Sequence, residues 1–212
     1  IRLYSRGTKV GSQLLIHPCR TAATHPKLWQ DGRQLYWSLA NVTQSDLIES
    51  RKKFIYIRRT SENSRNRGRL ILNEQELIES LRKYASQSSL EFFEYDHSKQ
   101  TGSVVDQIRL FSQARVILGV HGGAQSNMNF AASSTIIIEI MPFRSEQSTI
   151  PVVCSLSNPN ELRPCVGYIY YVQSQLLNHS YWILPTPVGA NDNLHVNLIH
   201  TQQLLDSLPK TF

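Results

Sequence analysis

The sequence predicts an α/β fold, a mostly parallel sheet flanked by helices. Three observations carry that expectation. From residue 51 to residue 142, short runs rich in β-branched and aromatic side chains alternate with segments whose apolar residues recur at helical spacing. The runs are apolar at consecutive positions, as strands buried on both faces require. Asn, Ser, Gly or Pro punctuates the joins between them.

In chain order, Lys53-Phe54-Ile55-Tyr56-Ile57-Arg58 reads as the first buried strand. Asn73 stands as an N-cap before Glu74 and Glu76, acids that complement a helix N-terminus, and Leu77, Ile78, Leu81 and Tyr84 give that helix its apolar stripe. Leu90 to Tyr95 is the second strand. Ser103 caps a second helix with Val104, Ile108, Leu110 and Phe111 on its inner side. The apolar run Val116 to Val120 ends at His121-Gly122-Gly123, and a third helix is expected over Ala124 to Ala132. The strand Thr135 to Ile140 follows, closed by Pro142. Tyr168 to Val172 reads as one more strand and Val196 to Leu208 as a C-terminal helix. Repeated strand–helix–strand units of this kind make a Rossmann-like half. Residues 1–50 show no clear periodicity and are read as a connecting piece or the remnant of a preceding domain, with residues 51–212 as the main domain.

Composition narrows the function. With 41% hydrophobic and 18% charged residues, the chain is neither disordered nor fibrous. Residues 1–70 carry 14 Lys and Arg against 4 acids, so the net charge of +6 is concentrated there, which points to an anionic partner with phosphate first. A nucleic-acid role ranks last because no recognition motif accompanies the charge. No apolar run is long enough to span a bilayer. The chain starts at Ile1, so an anchor or signal is expected only upstream. Cys19, Cys154 and Cys165 lack metal-site spacing; buried thiols and a Cys154–Cys165 bridge both fit. Asn41-Val42-Thr43 and Asn178-His179-Ser180 are glycosylation acceptors, which lean toward a secretory-pathway lumen.

In open parallel sheets ligands bind beyond the carboxyl ends of the strands, so the residues there are the candidates for chemistry. After the first strand come Arg58, Arg59, Arg65, Arg67 and Arg69, guanidinium groups that hold phosphate in a planar fork. After the third come His121, Gly122 and Gly123, where backbone can approach a ligand closely, with Ser126 and Asn127 adding donors in the next helical turn. His121 is expected to point into the crevice. Glu139 interrupts a buried strand and needs a partner: ribose hydroxyls on one reading, an arginine on the other. No Asp-x-Asp pair, P-loop, Gly-x-Gly-x-x-Gly, Gly-x-Ser-x-Gly or His-Glu-x-x-His occurs, so no metal site is expected, and kinases, dinucleotide dehydrogenases, serine hydrolases and zinc proteases lose ground.

The ordered set Phe54-Ile55-Tyr56-Ile57-Arg58-Arg59, Arg69-Leu70-Ile71-Leu72-Asn73-Glu74, Asp106-Gln107-Ile108, Gly119 to Asn127 and Glu139-Ile140-Met141-Pro142 resembles glycosyltransferase family 61. That family includes plant xylosyltransferases and arabinosyltransferases and animal O-linked N-acetylglucosaminyltransferases. The resemblance implies the C-terminal, donor-binding domain of a two-domain GT-B enzyme. It implies an inverting enzyme that takes sugar from a UDP-sugar to a glycan or glycoprotein hydroxyl without a metal, in the Golgi or endoplasmic reticulum. It also implies roles: Arg58, Arg59 and Arg69 around the diphosphate, with Asn73, Glu74, His121 to Asn127 and Glu139 at the donor. The family usually shows His-Gly-Ala-Gly-Leu-Thr-Asn where this chain has His-Gly-Gly-Ala-Gln-Ser-Asn. The sequence does not identify the general base: His121 and Asp106 are candidates, a preceding acceptor domain is the other place for it, and the alternative function is a non-catalytic lumenal relative that binds nucleotide or glycan.

Overall fold

A computed structural model describes residues 25–49, 51–61, 69–99, 102–143, 168–189 and 193–209. Five strands form a single parallel sheet: β1 (Lys53–Ile57), β2 (Glu91–Tyr95), β3 (Ala114–Val120), β4 (Ile136–Phe143) and β5 (Ser180–Pro187), in the spatial order β2-β1-β3-β4-β5. The α/β, Rossmann-like reading is therefore correct. Because side chains alternate along a strand, the sheet feeds two cores. Phe54, Tyr56, Leu118 and Ile138 pack on one face against Leu77 and Leu81 of helix α3 (Glu74–Gln87) and Leu205 of α6 (Leu198–Ser207). Ile55, Ile57, Ile117 and Ile137 pack on the other against Phe111 of α4 (Val104–Ser112), Met128 of a 3₁₀ helix (Gly123–Phe130) and Tyr170 of α5 (Tyr168–Leu176).

Several local expectations needed correction. Tyr168 to Val172 is helical, not a strand. Its burial falls on Tyr170, Gln173, Ser174 and Leu177, a helical spacing that the run of aromatic and β-branched residues hides. The last strand is β5, which contains two prolines, Pro185 and Pro187. Ser180 N–H donates to the Thr135 carbonyl, so alternate residues from Ser180 face β4, while Pro185 and Pro187 face the open edge, where no N–H is needed. Pro142 does not close β4 either. The His121 N–H bonds the Ile140 carbonyl, so Pro142 turns its missing donor toward the side that β3 has already left. The helix expected after Gly123 is 3₁₀ rather than α.

Within residues 1–50, the described part is ordered into α1 (Pro26–Leu39) and α2 (Gln44–Glu49). Trp37, Ala40 and Leu47 bury against Ile108 and Ala132. Arg33 fixes α1 to the sheet: Nη1 donates to the carbonyls of Ala131 and Leu177 at 3.2 and 3.0 Å, Nη2 donates to Ser133 at 2.9 Å, and the guanidinium lies 5.0 Å from the Trp37 ring centre. Cys19, Cys154, Cys165, Arg65 and Arg67 lie outside the described residues. No helix among those described is long and apolar enough to cross a membrane.

His179 sits in the same buried region and bonds the Met128 carbonyl through Nε2 at 3.2 Å. Burial, reinforced by the charge of Arg33, pulls its imidazole from the ordinary 6.5 down to about 3. The unfolded chain takes up a proton near pH 6.5 and the folded chain does not, so this contribution is complete above pH 6.5 and is lost as pH falls toward 3. Urea unfolding at pH 6.5 and 4.5 should show a loss of about 2 kcal/mol from this residue, and His179→Gln should flatten that slope.

Candidate functional site

The strand order places β2 on one side of β1 and β3 on the other, so the connections leaving β1 and β3 diverge at their carboxyl ends. A cleft of about 450 Å³ opens there, lined by Arg58 and Arg59 after β1 and by Gly122, Gly123 and Asn127 after β3. Tyr95, His97 and Gln107 complete the wall on the β2 side. None of the three was named as a site residue. Gln107 stood in the Asp106-Gln107-Ile108 motif without a role of its own, while Tyr95 and His97 had only their place as a signal: Tyr95 ends a strand next to the divergence, and His97 follows it.

The arginines divide by their neighbours. Arg58 donates to Glu74 through Nε at 3.3 Å and through Nη2 at 2.6 Å, and its Nη1 lies 3.5 Å from Glu94. The hydrogen bond to Glu74 raises its guanidinium further above the ordinary arginine value. Glu74 also accepts from the buried Tyr56 hydroxyl at 3.0 Å. The Arg58–Glu74 pair is thus internally balanced, and Glu74 is Arg58's partner in the wall of the cleft. Arg59 differs. Burial, then the charge of Arg69, lowers its pKa, so two guanidinium groups stand close enough to repel. Arg69 holds a left-handed backbone, φ 60°, and donates from Nη1 to the His121 carbonyl at 3.0 Å.

Arg69 is held in place from the far end of the chain. The Leu72 N–H donates to the Leu194 carbonyl and the Leu194 N–H to that of Leu70, both at 2.8 Å. Asn73 precedes α3 without capping it through its side chain. Its amide instead spans Val196, donating to the carbonyl at 2.9 Å and accepting from the N–H at 3.0 Å. The side chain assigned to the donor is therefore committed to this clamp.

His121 leaves the end of β3 on the side away from the cleft wall, toward β4. Nδ1 bonds Oε1 of Glu139, and the ring meets Tyr170 edge-on with centres 5.5 Å apart. Glu139 is fully buried, and its Oε2 accepts from the Tyr181 hydroxyl. Neither expected partner, ribose nor arginine, is needed to explain it. The Tyr170 hydroxyl donates to the Gly122 carbonyl at 2.7 Å. Ser126 hydrogen-bonds Tyr170, which takes it to the β4 side, whereas Asn127 faces the cleft. Asp106 belongs elsewhere: its carboxylate accepts from Ser103 N–H and Oγ at 2.8 and 2.9 Å in the capping box of α4. The Ser103 backbone bond holds that carboxyl below the usual range, which suits a helix cap and not a proton acceptor. Asn41 and Asn178 are both exposed, each in a left-handed backbone conformation.

Glycine matters at two points. A Cβ on Gly122 would lie 2.6 Å from Arg59 Nη1, so the guanidinium rests directly on this backbone. A Cβ on Gly123 meets nothing within 4 Å. Gly122→Ala is expected to displace Arg59 and weaken anion binding about tenfold with little loss of stability, while Gly123→Ala leaves binding unchanged; titration with pyrophosphate and a thermal melt check both. Asn73→Ala strands two buried backbone groups and should lower unfolding free energy by about 2–4 kcal/mol, measured by denaturant unfolding.

A protein-family model described as Glycosyltransferase 61 matches residues 4–138. No curated protein matches the chain. The match covers more than half of the sequence and takes in the stretch upstream of residue 51 as well as the strand ends around Arg58 and His121. The chain belongs to glycosyltransferase family 61.

Proposed function

We propose that this chain carries the donor site of an inverting glycosyltransferase that uses a UDP-sugar and passes the sugar to a hydroxyl of a glycan or glycoprotein. One observation carries the reading: the guanidinium of Arg59 lies against Gly122 and beside Arg69 where β1 and β3 diverge. Two like charges brought together at the mouth of a cleft are stabilised by an anion between them. A diphosphate there would meet Arg59 and reach Arg69 at the strand end, with the Gly122 backbone in direct contact.

Departure of UDP places negative charge on a phosphate oxygen. Fixed cations aimed at that oxygen stabilise the charge in the transition state without having to reorganise. Tyr95, Gln107 and Asn127 line the same cleft, and the two amides supply donors and acceptors for the nucleoside or sugar. Among the described residues no three His, Cys, Asp or Glu side chains converge on one point. Charge compensation in this reading therefore rests on the two arginines. The exposure of Asn41 and Asn178 supports a lumenal setting.

Calorimetric titration with UDP, with and without EDTA, tests the reading. UDP should bind with the same affinity in both. Arg59→Ala and Arg69→Ala should each weaken UDP by on the order of 1.5–3 kcal/mol while leaving uridine nearly unaffected, the loss that follows removal of a charge-assisted hydrogen bond. Equal losses for UDP and uridine, or binding only with added Mg²⁺ or Mn²⁺, would overturn it.

A further inference from the structure

Glu139 is a carboxylate with no exposure to solvent, in the middle of a strand flanked on both sides by other strands. An ionised carboxylate only accepts hydrogen bonds, so each neighbour must donate. Tyr181, on the adjacent strand β5, donates its hydroxyl to Oε2. Burial and the Glu139 contact push that phenol far above the ordinary tyrosine value, so it remains a donor across the working pH range. His121 contacts Oε1 through Nδ1, which therefore carries the ring proton. Nε2 is then the nitrogen with the lone pair. It makes no hydrogen bond to any described residue, on a side chain that is 30% exposed. Tyr170 packs on the ring edge and bonds the Gly122 carbonyl, fixing the ring's second side.

We propose that Tyr181 is a positioning residue that, through Glu139, holds His121 as the Nδ1–H tautomer, so that its exposed Nε2 is kept as a hydrogen-bond acceptor next in the chain to the cleft residue Gly122. This deepens the donor site proposed above and rests on it for the ligand: a ligand group that meets Nε2 has to donate a hydrogen bond, as a sugar hydroxyl does and an ionised phosphate oxygen cannot.

The imidazole ¹⁵N resonances of the full chain at pH 8 test this directly, since they distinguish a protonated ring nitrogen from an unprotonated one. The wild type should show His121 protonated at Nδ1 and bare at Nε2. Tyr181→Phe, which keeps the ring and its edge contact with Tyr171, should shift the population toward Nε2–H with the melting temperature and UDP affinity little changed. Glu139→Gln should shift it further. A wild-type ring protonated at Nε2, or a Tyr181→Phe spectrum identical to wild type, overturns the proposal. Failure to bind UDP would instead overturn the donor site, and the tautomer result would be read independently of it.

Discussion

The arrangement of this molecule depends on one topological constraint: β1 and β3 lie side by side in the sheet, and the connections that leave their carboxyl ends run in opposite directions, to β2 and to β4. Backbone cannot fill the gap where they part, so a cleft forms at that place whatever the side chains are. The chain then puts Arg58 and Arg59, which follow β1, and its glycine pair, which follows β3, on the two lips of that gap. A strand order without this reversal would have scattered the same residues.

Charge is distributed in the site by pairing rather than by number. Arg58 is bound to Glu74 and lies near Glu94, and so behaves as part of the wall. Arg59 and Arg69 stand near one another, with Arg59 disfavoured both by burial and by its neighbour. Two like charges held close together raise the positive potential at the lip of the cleft. Beside them, Glu139 satisfies its own burial with donors from two different strand ends, and in doing so ties the orientation of His121 to the packing of β5. The proposed phosphate contact and the ring orientation thus fall on neighbouring residues, 122 and 121, although they draw on separate elements.

Much of this was legible in the sequence because it depends on local pattern. Phe54 to Ile57, Val116 to Val120 and the stripe of Leu77, Leu81 and Tyr84 fixed the sheet and its first helix, and the strand-end rule located Arg59, Gly122 and Asn127 in the cleft. What was hidden depends on partners distant in the chain. Nothing near Asn73 reveals that its amide will grip Val196, and nothing near Glu139 names Tyr181. The strand of which Tyr181 is part was itself obscured, because Pro185 and Pro187 deny a central strand but not an edge one. The aromatic run from Tyr168 misled for the complementary reason: its composition favours a strand, while burial of every third or fourth residue makes it a helix.

Those same two prolines bear on the company the molecule can keep. A parallel sheet ordinarily ends in a ladder of unmatched amides that invites another extended chain to join it. Along the outer side of β5 the row of groups that would receive such a visitor lacks its N–H at positions 185 and 187. Self-association by strand addition is therefore discouraged along the C-terminal half of this margin. A polypeptide arriving here cannot be held by sheet extension over that half of the strand; it has to be recognised through side chains.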